Sequence, residues 1–219
     1  MVEVSTSILG VNEDNSIQTF YNLEVAHTDY FHIDVMDGEF VENNTEEKMF
    51  KYAQYIKQIS NTPIDVHLMV KDVKEKVMDY IDLKPNIITF HIEAVNDKKE
   101  TLELIKYIKE NNCRVGLSIK PDTDISKLYD YLSFIHLILV MTVAPGKGGQ
   151  KLIPKTLENI KQIYNYINKN NIEIDIEADG GINLDTIDLV KKAGANIIVA
   201  GTAIIESNDY GDVIKKLKE

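Results

Sequence analysis

Two strand-like segments, Phe31-His32-Ile33-Asp34-Val35-Met36-Asp37-Gly38 and Ile64-Asp65-Val66-His67-Leu68-Met69-Val70, each carry a histidine where a buried strand would hold an aliphatic side chain. Side chains alternate faces along a strand, so His32, Asp34 and Met36 share one face while Ile33 and Val35 share the other. The second segment repeats the design, with Asp65, His67 and Met69 on one face and Ile64, Val66 and Leu68 on the other. If these converge with a later Asp179, in Ile176-Glu177-Ala178-Asp179-Gly180-Gly181, then His32, Asp34, His67 and Asp179 form a mixed nitrogen and oxygen donor set for one divalent metal ion. Such a set suits Zn, Mn, Fe or Co. A lone strand histidine is ordinarily a core imidazole bonded to a backbone carbonyl. The matched pair of strands favours ligation over that alternative, and the constellation points to an enzyme.

Positioning these groups requires strands far apart in sequence to end at one place. Short β-rich runs end near Ile8, Met36, Met69, Ile92, Ile119, Val143, Asp179 and Ala200. Helical spacing of apolar residues, as in Leu102, Ile105 and Ile108, predicts helices over Glu46 to Ile59, Val73 to Ile81, Lys98 to Asn111, Lys155 to Asn170 and Asp185 to Ala193. The runs Ile87-Ile88-Thr89-Phe90, Leu137-Ile138-Leu139-Val140 and Ile197-Ile198-Val199-Ala200 are almost uninterrupted aliphatic stretches, as parallel strands covered on both faces are. The expected fold is an α/β protein, a (β/α)8 TIM barrel forming a single domain over residues 1–219. An open doubly wound sheet is the rival, but it gives fewer strands and no reason for such distant ligands to converge. In a barrel every group named so far falls at the C-terminal end of its strand, where barrel active sites are built.

Composition narrows the partners. A formal net charge of -11 argues against nucleic acid or an anionic membrane surface, both of which are bound through basic patches. Cys113 is the only cysteine, so an intrachain disulfide is impossible and a reducing, cytoplasmic setting is expected. The start of the chain shows no basic flank and apolar run of a signal peptide, and no run of about eighteen apolar residues occurs. A symmetric homo-oligomer is the prior for a chain of this kind.

Three glycine-containing turns follow the later strands: Pro145-Gly146-Lys147-Gly148-Gly149-Gln150, Asp179-Gly180-Gly181-Ile182-Asn183 and Ala200-Gly201-Thr202-Ala203-Ile204. Any one of them is as well explained by a tight strand-to-helix turn. Three on one end of one barrel favour a phosphate cradle, in which backbone amides surround an anion. The remaining candidates divide by context. Asp37 precedes Gly38 and is expected to bind local backbone amides. His91 and Glu93 share a face, with support of a ligand or barrel packing as equal readings. Met36, Met69 and Met141 are either adaptable core filler or a soft wall that excludes water from a planar intermediate. His27 and His136 are expected to be structural, and Cys113 has no context for a catalytic thiol.

Taken together, Ser7-Ile8-Leu9, His32 to Gly38, Asp65 to Val70, Thr89-Phe90-His91-Ile92-Glu93-Ala94, Gly116 to Pro121, Val140 to Val143, Pro145 to Gln150 and Ala178 to Gly181 resemble ribulose-phosphate 3-epimerases almost end to end. The resemblance implies a (β/α)8 barrel of the pentose phosphate pathway that interconverts D-ribulose 5-phosphate and D-xylulose 5-phosphate with a divalent metal. It makes His32, Asp34, His67 and Asp179 the metal ligands, with Asp34 and Asp179 doubling as the acid/base pair. It makes Ser7, His67, Gly146, Lys147, Gly148, Gly149, Gly180, Gly181, Gly201 and Thr202 contacts of a phosphorylated ketose. Three positions depart from the family pattern: Lys147 stands where Phe is usual, Glu42-Asn43 where a Pro-Asn pair is usual, and Thr6 where Pro commonly precedes the serine. None removes a ligand, but mouth loops decide which ketose fits. A 3-epimerase of a ketohexose phosphate such as D-allulose 6-phosphate is therefore the alternative within enzymes. A non-catalytic sugar-phosphate-binding barrel is the alternative outside them.

Overall fold

Strands without a polar side can be satisfied only where both faces are covered, and that is how they are used here. In the computed structural model, which describes residues 2–95 and 97–219, eight strands pair in parallel, in chain order, and close on themselves. They are Glu3–Ser7 (β1), Tyr30–Met36 (β2), Ile64–Met69 (β3), Ile87–His91 (β4), Arg114–Ile119 (β5), Leu137–Met141 (β6), Asp175–Asp179 (β7) and Ile197–Ala200 (β8). β1 closes the barrel against β8, with Ser5 beside Val199 and Thr6 beside Ala200. Among the described residues the α-helices are Ser16–Val25 (α1), Glu46–Ile59 (α2), Val73–Ile81 (α3), Lys98–Glu110 (α4), Thr156–Lys169 (α5), Ile187–Ala193 (α6), Thr202–Ile205 (α7) and Tyr210–Lys218 (α8). None is long and apolar enough to cross a membrane.

The expected single (β/α)8 barrel is thus observed, with every expected strand in place. Three helices escape the periodicity reading, the four-residue α7 among them. In α1 the buried Phe20 and Leu23 are offset by exposed Ile17, Tyr21 and Val25, so apolar residues occupy both sides and the stripe is blurred. In α8 only Ile214 and Leu217 are buried, and its start is set by the Asp209 side chain accepting from the Asp212 amide. After β5 the return to β6 contains a short 3-10 turn, Ile125–Leu128, opened by Asp124, rather than an α-helix.

Two kinds of interior result. Outward-facing strand residues such as Ile33, Val35, Leu68, Phe90, Ile138 and Val140 meet helix residues such as Phe20, Tyr52, Leu104 and Ile160 in the main core. Each such buried side chain contributes about 1.5–3 kcal/mol. Inside the barrel, Ile87, Leu137, Leu139, Met141, Val143 and Ile197 form a separate apolar arc. The rest of that interior is polar, with Ser5, His32, Asp65, His67, Thr89, His91, Ser118 and Glu177 all fully buried. A buried polar group without a partner costs about 1–3 kcal/mol, so each partner or ligand that these groups find stabilises this half of the barrel.

Gly116 marks where the two halves meet. It sits in register with Thr89 and Leu137, and an added Cβ would lie 2.3 Å from Thr89 Oγ1 and 2.8 Å from Leu137 Cδ2. Gly116→Ala is expected to lower stability by about 1–3 kcal/mol through overpacking. A denaturant midpoint equal to the parent's would show that the barrel interior relaxes around the extra carbon.

Candidate active site

β2, β3 and β7 bring the predicted donors together at the C-terminal end of the barrel. Asp34 lies in register with His67, Ser7 with His32, and Asp179 with Met141. One ligand atom from each of His32, Asp34, His67 and Asp179 lies within 4.8 Å of the others. His32 Nε2 is 3.4 Å from Asp34 Oδ1 and 3.9 Å from Asp179 Oδ2. His67 Nδ1 is 3.3 Å from Asp179 Oδ2 and 3.6 Å from Asp34 Oδ1. Both imidazoles are sealed from solvent, whereas Asp34 and Asp179 keep 5% and 9% exposure, so the carboxylates alone reach the cavity above.

The fit to a metal rests on atoms the protein leaves unsatisfied. His32 Nε2 and His67 Nδ1 are buried without any hydrogen-bond partner. A lone imidazole nitrogen directed at two carboxylate oxygens in a dry site is the arrangement a divalent cation completes. The donor set of two imidazoles and two carboxylates matches the borderline metals. The other nitrogen of His32, Nδ1, lies 2.7 Å from Asp65 Oδ2, which also accepts from Ser5 Oγ at 2.8 Å. As the carboxylate only accepts, the His32 proton belongs on Nδ1 and Nε2 is left bare.

Electrostatics follow the same geometry. Burial alone would raise the Asp34 carboxyl, but His32 and His67 outweigh it and hold it well below the usual carboxylate range. Burial opposes a charge on His67, yet the facing Asp179 and Asp34 raise it overall. Burial and the neighbouring Asp65 push Glu177 well above the ordinary carboxylate range. Ser7 Oγ donates to Asp34 Oδ2 at 2.7 Å, which turns the other oxygen, Oδ1, towards the imidazoles.

Above the carboxylates opens a cavity of about 700 Å³. Its wall includes Ser7, the loop Gly146 to Gln150, the turn Gly180 to Asn183, and Gly201 with Thr202. Met36, Met69 and Met141 also line it, matching the soft-wall reading. The glycines have steric reasons to be there. Gly180 and Gly181 adopt φ of +119° and +69°, and a Cβ on Gly181 would lie 2.4 Å from the Leu152 amide nitrogen. Lys147 is exposed at the mouth, and Gly146 packs close to Val41 of the loop that carries Glu42 and Asn43. The imidazole of His67 lies beneath the carboxylates in the donor cluster rather than in the cavity wall.

The other candidates fall where their context suggested. Asp37 accepts from the Glu39, Phe40 and Lys71 amides at 2.8, 2.8 and 2.6 Å, so it organises the loop after β2. His136 Nδ1 accepts from the Val115 amide, and His27, at φ 59°, ends the turn after α1. Cys113 is buried, with burial pushing its thiol up to about 12. The residues that the sequence reading left without a role are Asp65 and Glu177. They form a second buried group with His32, one layer below the first. Their signal was present: β2, β3 and β7 each carry a pair of ionisable residues two positions apart, His32/Asp34, Asp65/His67 and Glu177/Asp179.

Comparison with known proteins agrees with this geometry. Residues 3–205 match the model of the "Ribulose-phosphate 3 epimerase family". The ribulose-phosphate 3-epimerase of Escherichia coli (strain K12) is 40% identical over 197 residues, covering 88% of this chain and 84% of that protein. The ribulose-phosphate 3-epimerase of Methanocaldococcus jannaschii is 35% identical over 219 residues, covering 100% and 91%. Among solved structures, 3-keto-L-gulonate-6-phosphate decarboxylase from Vibrio cholerae superposes with a TM-score of 0.73 at 12% identity, over 100% of this chain and 96% of that one, a likeness of fold. On the family match and the two relatives, the chain belongs to the ribulose-phosphate 3-epimerase family.

Proposed function

We propose that this chain is a cytoplasmic, metal-dependent epimerase that inverts C3 of D-ribulose 5-phosphate to give D-xylulose 5-phosphate in the pentose phosphate pathway. The observation that carries the reading is the pair Asp34 and Asp179, two carboxylates partly open to one cavity over two sealed imidazoles, in a chain of this family. Inversion requires a weakly acidic C–H proton to leave one face of the sugar and a proton to return to the other. Asp34 and Asp179 stand on β2 and β7, with β1 and β8 between them, and so approach a ligand from different sides. As acid and base, each contributes about a hundredfold or more.

His32, Asp34, His67 and Asp179 would hold the divalent ion, and when bound it supplies positive charge against the oxygen that becomes negative as the proton leaves. Ser7 orients the Asp34 carboxylate through its 2.7 Å hydrogen bond. Met36, Met69 and Met141 keep water from the planar enediolate. The turns at Gly180-Gly181 and Gly201-Thr202 would take the phosphate through local backbone amides, which lets an acidic protein bind an anion. Lys147 at the mouth keeps a ketohexose phosphate such as D-allulose 6-phosphate as the second reading, and turnover on the two sugar phosphates separates them. Solvent deuterium uptake at C3 separates either enzyme from a non-catalytic binder.

His67→Ala is expected to lower metal occupancy and epimerase activity together, by at least about tenfold. Full metal content with normal turnover would remove His67 from the ligand set. Asp34→Asn and Asp179→Asn keep the size and one oxygen but carry no proton at neutral pH. Each should lose epimerisation by about a hundredfold or more, and a variant that retains metal should exchange the C3 proton of one epimer only. Near-parental epimerisation by both, with metal bound, would overturn the two-base assignment. Gly201 has an ordinary φ of -112°, yet an added Cβ would lie 3.2 Å from Ser7 Cβ. Gly201→Val should therefore raise KM for the phosphorylated sugar roughly tenfold, the equivalent of one or two lost hydrogen bonds. An unchanged saturation curve would place the phosphate elsewhere.

A further inference from the structure

We propose that Glu93 and His91 are positioning residues that set the ring proton of His67, so that this histidine presents Nδ1 to the metal. The proposal rests on the metal reading above and adds the device that prepares one ligand for it. The two histidines of the donor set are prepared differently. His32 meets a carboxylate directly, at Asp65. His67 meets another imidazole: its Nε2 lies 3.0 Å from His91 Nε2, with the ring planes 23° apart and the centroids 5.0 Å apart.

Two facing ring nitrogens at that distance hold one proton between them, and the geometry decides whose it is. His67 Nδ1, the atom that points at Asp34 and Asp179, must be bare to bind a cation. A neutral His67 then carries its proton on Nε2 and donates it to His91 Nε2. That nitrogen accepts only if His91 keeps its own proton on Nδ1. His91 Nδ1 lies 3.0 Å from Glu93 Oε2, an acceptor that ends the chain. Glu93 cannot turn away, because its other oxygen accepts from the Lys120 amide at 2.8 Å and from the Thr123 hydroxyl. The ring of Phe40, 4.9 Å from that of His91, covers the relay. All donors therefore point one way, from His67 through His91 to Glu93.

Glu93→Gln tests the direction without changing size. The Lys120 amide can only donate, so the oxygen of the introduced side-chain amide is expected to stay with it and the NH2 group to face His91. That group donates to His91 Nδ1, which reverses the chain and moves the His67 proton to Nδ1. The experiment measures zinc affinity by competition with a chromophoric chelator, and histidine 15N spectra of the metal-free protein at alkaline pH, for parent and E93Q. The expected result is zinc binding about 10- to 100-fold weaker in E93Q, with the His67 proton on Nε2 in the parent and on Nδ1 in the variant. A variant that binds zinc as the parent does, with the His67 tautomer unchanged, overturns the proposal. A merely structural role for Glu93 would weaken the fold and leave the tautomer where it was, which overturns it too. Should E93Q fail to fold, the parent spectrum alone decides, since a His67 proton on Nδ1 there contradicts the relay. A parent that takes up no zinc refutes the metal reading instead, and the tautomer measurement still judges the relay.

Discussion

Two imidazole lone pairs, His32 Nε2 and His67 Nδ1, are buried with nothing in the protein to bind them, and much of the molecule is arranged to hold them so. Leaving a polar atom unpaired in a dry interior is costly. The protein nevertheless fills the opposite nitrogen of each ring with a firm partner, so neither ring can rotate to relieve its exposed lone pair. The two carboxylates opposite face the same difficulty with the opposite sign. A cation would satisfy all four at once, in a barrel interior that is polar on one side and hydrocarbon on the other.

The layers beneath the site extend that constraint downward and sideways. Asp65 and Ser5 fix His32 from below, while the β4 and β5 ends fix His67 from the side through His91, Glu93 and the Lys120 backbone. These supports belong to strands, or to the residues that immediately follow them, rather than to mobile loops. The cavity wall above is of another kind, built from turns in which a Cβ on Gly180 or Gly181 would collide with its neighbours. Rigid donors below and close-fitting turns above are what a site needs if it is to hold a small anionic sugar still while protons move.

Most of this was legible in the sequence for a physical reason: a histidine on the inner face of an aliphatic strand has no cheap explanation, and two such strands fix a register between them. Strand ends were clear because parallel strands buried on both faces are aliphatic throughout. Helix α1 was not, since its exposed Ile17, Tyr21 and Val25 erase the amphipathic stripe. Nor was the irregular return after β5, where Pro121 and Asp124 favour turns over a helix. The support that Asp65 gives to His32 was hidden by another effect. Asp65 shares a strand face with His67, as Glu177 does with Asp179, but that Asp65 meets His32 depends on the register between β2 and β3, which only the assembled sheet shows.

That closure has a consequence for how the site comes into being. His32, Asp34 and His67 are laid down early in the chain and Asp179 late, and they meet only because β1 zips onto β8 and makes β2 and β7 near neighbours across the seam. A chain released from synthesis before β7 holds three donors on a sheet still open at one edge. Loop closure over so long a separation is slow, so a cation able to grip all four donors would act as a clasp on the finished ring. By mass action it would stabilise the closed form over every partly assembled one.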